Sequence, residues 1–123
     1  MEVRNFTRCA YLCPGEGNPR NSEGAFLRMK DGALMFAYSR FTGAWFDDAP
    51  SDIVFCVSRD EGETWTEPDV MLSAASFGVK NIMSLSLLRM ENGDLGAICI
   101  AKEPPQIYRI YLSRSADEGK TFY

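Results

Sequence analysis

Ser58-Arg59-Asp60-Glu61-Gly62-Glu63-Thr64-Trp65 is matched later in the chain by Ser115-Ala116-Asp117-Glu118-Gly119-Lys120-Thr121-Phe122. Both segments read S-x-D-x-G-x-T-(W/F), and each follows an apolar, strand-like run. The pattern has the chemistry of a turn. The Ser hydroxyl and Asp carboxylate can accept hydrogen bonds from the turn's own backbone N–H groups. Gly62 and Gly119 supply a positive φ that a β-carbon would penalise. Trp65 and Phe122 fold back beneath the turn, where an aromatic side chain buries about 150–250 Å². Such a pattern describes a folding unit, not a catalytic one.

The repeat extends upstream. Leu27-Arg28-Met29-Lys30-Asp31-Gly32-Ala33-Leu34 aligns with Leu88-Arg89-Met90-Glu91-Asn92-Gly93-Asp94-Leu95 at an offset of 61, whereas the two turns are offset by 57. The second unit therefore has a connection four residues shorter, and a period of this size points to propellers or solenoids. Alternation and turn signals predict strands over 6–13, 25–29, 33–39, 53–57 and 69–72, then 85–90, 95–101 and 107–112. Asp31-Gly32 and Asn92-Gly93 are the hairpin turns, and no segment reads as a helix. The runs 34–37 and 53–57 are continuously apolar, so both of their faces should be buried. Sheets stacked face to face around an axis meet that requirement. The expected organisation is an N-terminal strand and loop (1–19), a first four-stranded antiparallel unit (20–76) and an incomplete second one (77–123). Two such units alone leave an apolar face bare on each, so the chain is expected to need further units.

Composition narrows the function classes. A chain of 123 residues with 46% hydrophobic content suits one ordered domain. A net charge of −4 argues against nucleic acid or an anionic membrane as partner. The absence of histidine excludes Ser-His-Asp, Cys-His and histidine-ligated metal sites, and no metal or cofactor is expected. Cys9, Cys13, Cys56 and Cys99 form no C-x-x-C pair and read as buried reduced thiols, with a metal or disulfide through Cys9 and Cys13 the lesser alternative. No signal peptide or membrane span is visible, so the chain as given is expected in the cytoplasm unless its N-terminus has been processed.

The doubled turn resembles the Asp-box (BNR) repeat, and its setting is similar to the six-bladed β-propellers of the sialidase (neuraminidase) superfamily. The resemblance implies an all-β fold in which this chain forms about two blades. It also implies that the Asp boxes sit on the face away from the substrate pocket, which is bordered by 19–24, 41–52, 79–84 and 102–106.

Carried over position by position, the resemblance implies that Arg20 is the first arginine of a carboxylate-binding triad, a role suited to a bidentate guanidinium. Arg20 lacks the Arg-Ile-Pro context of the family, and a solvated loop arginine is the plainer reading. Arg40, ending the second strand, resembles a second family arginine. Asp47-Asp48-Ala49-Pro50 resembles the run around the acid/base aspartate, without separating Asp47 from Asp48. Two adjacent anions are expected to raise each other's pKa and so help one act as a general acid. An acidic surface loop is the alternative. Asn81 stands where the family often carries an Asp near the N-acyl group, and remains able to bond a sugar hydroxyl or amide. Lys102 and Glu103 read as a solvent-facing ion pair. The family's nucleophilic tyrosine belongs to later blades, and Tyr11, Tyr38, Tyr108, Tyr111 and Tyr123 do not occupy its place.

The resemblance implies part of an exo-glycosidase acting on a terminal, acidic sugar, with little activity in the chain alone. A non-catalytic carbohydrate-binding or scaffolding propeller is the alternative. Phe41, Trp45 and Phe46 would then stack on sugar faces, unless they plug the gap between blades. The remaining blades are expected in cis or, less simply, from further copies of the chain, possible only if the rotation per chain closes a ring.

Overall fold

A computed structural model describes residues 12–123. The expected strand at 6–13 lies largely outside them, as do Cys9 and Tyr11. Seven strands and one single-turn 3-10 helix follow in order: β1 (Arg20–Arg28), β2 (Leu34–Phe41), β3 (Ser51–Ser58), β4 (Asp69–Leu72), the helical turn (Ala74–Phe77), β5 (Asn81–Arg89), β6 (Leu95–Glu103) and β7 (Ile107–Ser115). The architecture is all-β, and the short helical turn is an element that strand-period reasoning did not anticipate. Ser73 caps it by accepting from the Ala75 N–H.

β1 to β4 form one antiparallel blade and β5 to β7 a second. The two blades share a single parallel bridge, Ser51 opposite Asn81, which makes one open mixed sheet of all seven strands. Antiparallel order follows from the two tight turns. At Asp31-Gly32 the Met29 N–H donates to Ala33 O at 2.8 Å, and at Asn92-Gly93 the Met90 N–H donates to Asp94 O at 2.9 Å.

Register decides which residues share an end. Arg20 lies opposite Phe41 and Phe41 opposite Ser51, while Asn81 lies opposite Lys102 and Glu103 opposite Ile107. At the other end Arg28, Leu34 and Ser58 align, as do Arg89, Leu95 and Ser115. Both repeated turns therefore leave the lower rim, and 42–50 and 104–106 the upper one.

The repeated turns are built as their spelling requires. The Gly62 N–H donates to Ser58 Oγ and the Gly119 N–H to Ser115 Oγ, both at 2.8 Å. The N–H groups of Thr64 and Thr121 donate to Asp60 and Asp117 at 2.8 and 2.9 Å. Gly62 and Gly119 have φ of 92° and 90°. Trp65 returns its indole N–H to Gly62 O at 3.1 Å and packs against Phe26 and Phe36, while Phe122 packs on the core between the blades. Beyond the second turn Tyr123 exchanges both backbone bonds with Arg114 at 2.9 Å, as Thr66 begins to do with Val57 in the first blade.

The core lies between the blades. Met35, Ala37 and Ile53 from the first meet Ile82, Leu95, Ala97 and Cys99 from the second, all fully buried. The opposite faces are partly exposed, although Tyr38, Val54 and Cys56 are buried on that of the first blade. Phe26 and Val70 are exposed on the first blade, and Leu88, Tyr108, Ile110 and Leu112 on the second. Cys56 and Cys99 are buried free thiols, and burial pushes Cys99 up to about 11. Cys13 is free but exposed, contrary to the buried reading.

Two strands start earlier than expected. β1 begins at Arg20 rather than residue 25, and β5 at Asn81 rather than residue 85. Each early stretch continues the ladder through a β-bulge, between Ser22 and Gly24 and between Met83 and Ser86. Among the described residues no helix is long and apolar enough to cross a membrane.

Candidate functional site at the upper rim

Arg20 opens β1 with its guanidinium carbon 4.5 Å from the centre of the Phe41 ring, across the strand pair. That cation–π contact fixes where the fork points. Its Nη1 donates to Asp47 Oδ1 at 2.6 Å and to Trp45 O at 3.1 Å. Nη1 is the only guanidinium nitrogen with a partner among the described residues, which leaves donors free for a ligand.

The loop 42–50 that carries both aspartates is held from each blade. Within it, the Thr42 N–H donates to Pro50 O at 2.9 Å and the Ala49 N–H to Phe46 O at 2.9 Å. Ala49 is buried with Phe41 and Met83. From the second blade, Asn81 Nδ2 donates to Asp47 O at 3.0 Å and to Ala49 O at 2.6 Å. Lys102 Nζ donates to Asp47 O at 2.7 Å and meets Asp48 Oδ1 at 3.3 Å. The loop backbone is fixed while the two carboxylates stay 66% and 74% exposed.

Arg20, Asp47, Asp48 and Asn81 are thus brought together at the rim opposite the repeated turns. Arg40 is not. It neighbours Phe41 in β2, so strand alternation turns it to the other sheet face, and it has no hydrogen bond or ion pair among the described residues. Asn81 is 2% exposed and acts first as a loop anchor, although its Oδ1 is buried without a partner. Lys102 and Glu103 do not pair with each other. Lys102 holds the aspartate loop, and Glu103 accepts from Arg109 at 3.0 Å. The bridging role of Lys102 was not anticipated, yet extending the 61-residue offset pairs Arg20 with Asn81 and Phe41 with Lys102.

The electrostatics reverse one expectation. The Arg20 guanidinium, bonded to Asp47 and aided by the Lys102 charge, holds that carboxyl below the usual aspartate range. The opposite charge of Arg20 decides the protonation of Asp47, so while that contact lasts the carboxylate is held ionised with a lowered proton affinity. Trp45 and Phe46 stand 72% and 51% exposed, edge to face with ring centres 6.5 Å apart, and are not wedged between the two blades. Tyr38 is buried in β2, Tyr111 packs on Phe77, Tyr108 is exposed on the outer face of β7, and Tyr123 donates to Asp94 at the lower rim. Among the described residues no cluster of carboxylates and thiols can hold a metal ion.

No family model matches the chain, and no curated protein matches it. Solved structures share its fold, among them the following two. A protein of unknown function from Dyadobacter fermentans superposes with a TM-score of 0.74 at 20% identity, over 89% of this chain and 36% of its own. A Hadza microbial sialidase, Hz136, superposes with a TM-score of 0.71 at 18% identity, over 87% of this chain and 25% of its own. The chain therefore spans about a third and a quarter of the lengths of these two structures. At these identities the likeness is one of fold.

Proposed function

We propose that this chain supplies two blades of a sialidase-like exo-glycosidase, and with them the acid/base part of its active site. The Arg20–Asp47 ion pair, on the rim opposite the Asp-box turns, carries the reading. Arg20 takes the carboxylate of a terminal acidic sugar with its free guanidinium donors. A ligand anion then competes with Asp47 for Arg20, and a carboxyl released from that contact recovers a more ordinary proton affinity. Asp47, or its neighbour Asp48, can thereby protonate a leaving oxygen and afterwards accept a proton from water. Asn81 and Lys102 hold the loop still meanwhile. The nucleophilic half of a retaining site is supplied by further blades, in cis or from other copies, which would also cover the partly exposed faces.

The isolated chain is expected to release no measurable fluorophore from a fluorogenic sialoside. Appreciable turnover by the chain alone, abolished when Asp47→Asn and Asp48→Asn are combined, would refute the division of the site between blades. In a longer parent protein the same double substitution is expected to remove at least about a hundredfold of activity.

A second reading, glycan binding without catalysis, is favoured by the exposed Trp45 and Phe46, which offer adjoining aromatic faces for a sugar. Under that reading Trp45→Ala weakens glycan binding about tenfold, whereas Asp47→Asn leaves it nearly unchanged.

A further inference from the structure

The two β-bulges occupy equivalent places in the first strands of the two blades. Glu23 in β1 has φ 48° and Ser84 in β5 has φ 57°, and the two are 61 positions apart. Neither is a glycine, so both occupy a backbone region that side chains rarely adopt, as Glu61 and Glu118 also do in the repeated turns. Gly24 makes the first bulge possible, since a β-carbon there would come within 2.2 Å of the Phe36 ring.

The bulges face one another. Glu23 Oε2 accepts from the Ser84 N–H at 3.2 Å and from Ser84 Oγ at 3.3 Å. Oε1 has no partner among the described residues, and Glu23 is exposed. Among the described residues, β2 is the only strand paired with β1. Glu23 lies three residues along β1 from Arg20, and Ser84 three along β5 from Asn81, about 10 Å below the rim.

We infer that Glu23, oriented by Ser84, is a hydroxyl-binding carboxylate on the floor of the site. Its free Oε1 accepts from a hydroxyl of the sugar whose acidic group Arg20 holds. This rests on the proposed function, and it adds a contact that selects for a polyhydroxylated ring over a simple carboxylic acid.

The test is an amide-shift NMR titration of the whole chain with N-acetylneuraminic acid, with acetate as the control anion. The sugar should shift residues 20 and 47 together with 23, 24 and 84, whereas acetate should shift only the first two. Glu23→Gln should raise the dissociation constant for the sugar about tenfold and leave that for acetate unchanged. Ser84→Ala, which keeps the carboxylate and removes one donor, should give a smaller loss in the same direction. If the sugar moves the rim alone, or Glu23→Gln binds it as well as the parent, the floor contact is wrong while the Arg20 reading stands. If residues 23 and 84 respond and the rim is silent, the floor contact survives and the Arg20 reading falls. No shift at either place overturns both.

Discussion

At the scale of single residues, the two repeated turns and the Arg20–Asp47 pair make separable predictions. Hydrogen bonds from Thr64 hold Asp60 down to about 2, and those from Thr121 do the same for Asp117, against an ordinary 3.8. A carboxylate depressed on folding contributes fully above its unfolded pKa, and its contribution fades as pH falls from 3.8 toward 2. Asp117→Asn is therefore expected to lower the melting temperature at pH 7 and to flatten the further loss between about pH 4 and 2, as followed by circular dichroism. Ser58 is 1% exposed and accepts from the Gly62 N–H, so Ser58→Ala should cost about 1–3 kcal/mol in denaturant unfolding. At the rim, Arg20→Met should return Asp47 to the ordinary aspartate range, read from its side-chain carbonyl shift. An unmoved titration would mean that Arg20 does not set the charge of Asp47. The Ser, Asp and Gly positions of the turn were legible because their bonds are local. The fate of Arg40 was not, since adjacent strand residues point to opposite faces and spacing from Arg20 cannot show which face belongs to the site.

Among the elements, the repeated turns do more than close hairpins. Glu61 and Glu118, identical in the two copies, bind Arg28 and Arg89 of the aligned Leu-Arg-Met segments. The two clamps differ in reach. Arg28 and Glu61 are 53% and 72% exposed and stay within the first blade. Arg89 and Glu118 are 29% and 17% exposed and also cross to the first blade. There Glu118 accepts from the Lys30 N–H at 2.8 Å, and Arg89 donates to Arg28 O at 3.0 Å. Glu118→Ala should therefore destabilise by about 1–3 kcal/mol, whereas Glu61→Ala should change little because exposed pairs contribute little. Comparable effects in equilibrium unfolding would refute the asymmetry. The glutamates were readable as a shared letter in both copies; their purpose was not, because it lies in contacts between distant segments. The early starts of β1 and β5 were hidden for a related reason. Arg20-Asn21-Ser22-Glu23 carries no apolar side chain to signal a strand, and after Ile82-Met83 the bulge breaks the alternation that would have signalled one.

For the whole molecule, stability is concentrated between the blades. Met35 is fully buried there, so Met35→Ala should cost about 2–5 kcal/mol and loosen both sheets in a single transition. Two separate transitions would show that the blades fold independently. The exposed Phe26 and Val70 on one side, and Ile110 and Leu112 on the other, should bind a hydrophobic dye or bring chains together as concentration rises. The mass measured by sedimentation distinguishes those outcomes. The stacking of sheets was legible from the continuous apolar runs and the repeat period. The number of units in a stack is not legible in this way, since each repeat specifies only its own fold and its neighbour's contact surface.

The backbone pairing of Tyr123 with Arg114 sets a direction for anything joined at that point. A peptide appended after Tyr123 starts antiparallel to β7, alongside an edge whose amide and carbonyl groups are already spaced to receive it. A short appendage rich in valine and threonine should zip into place, with its heading chosen before its first residue is added.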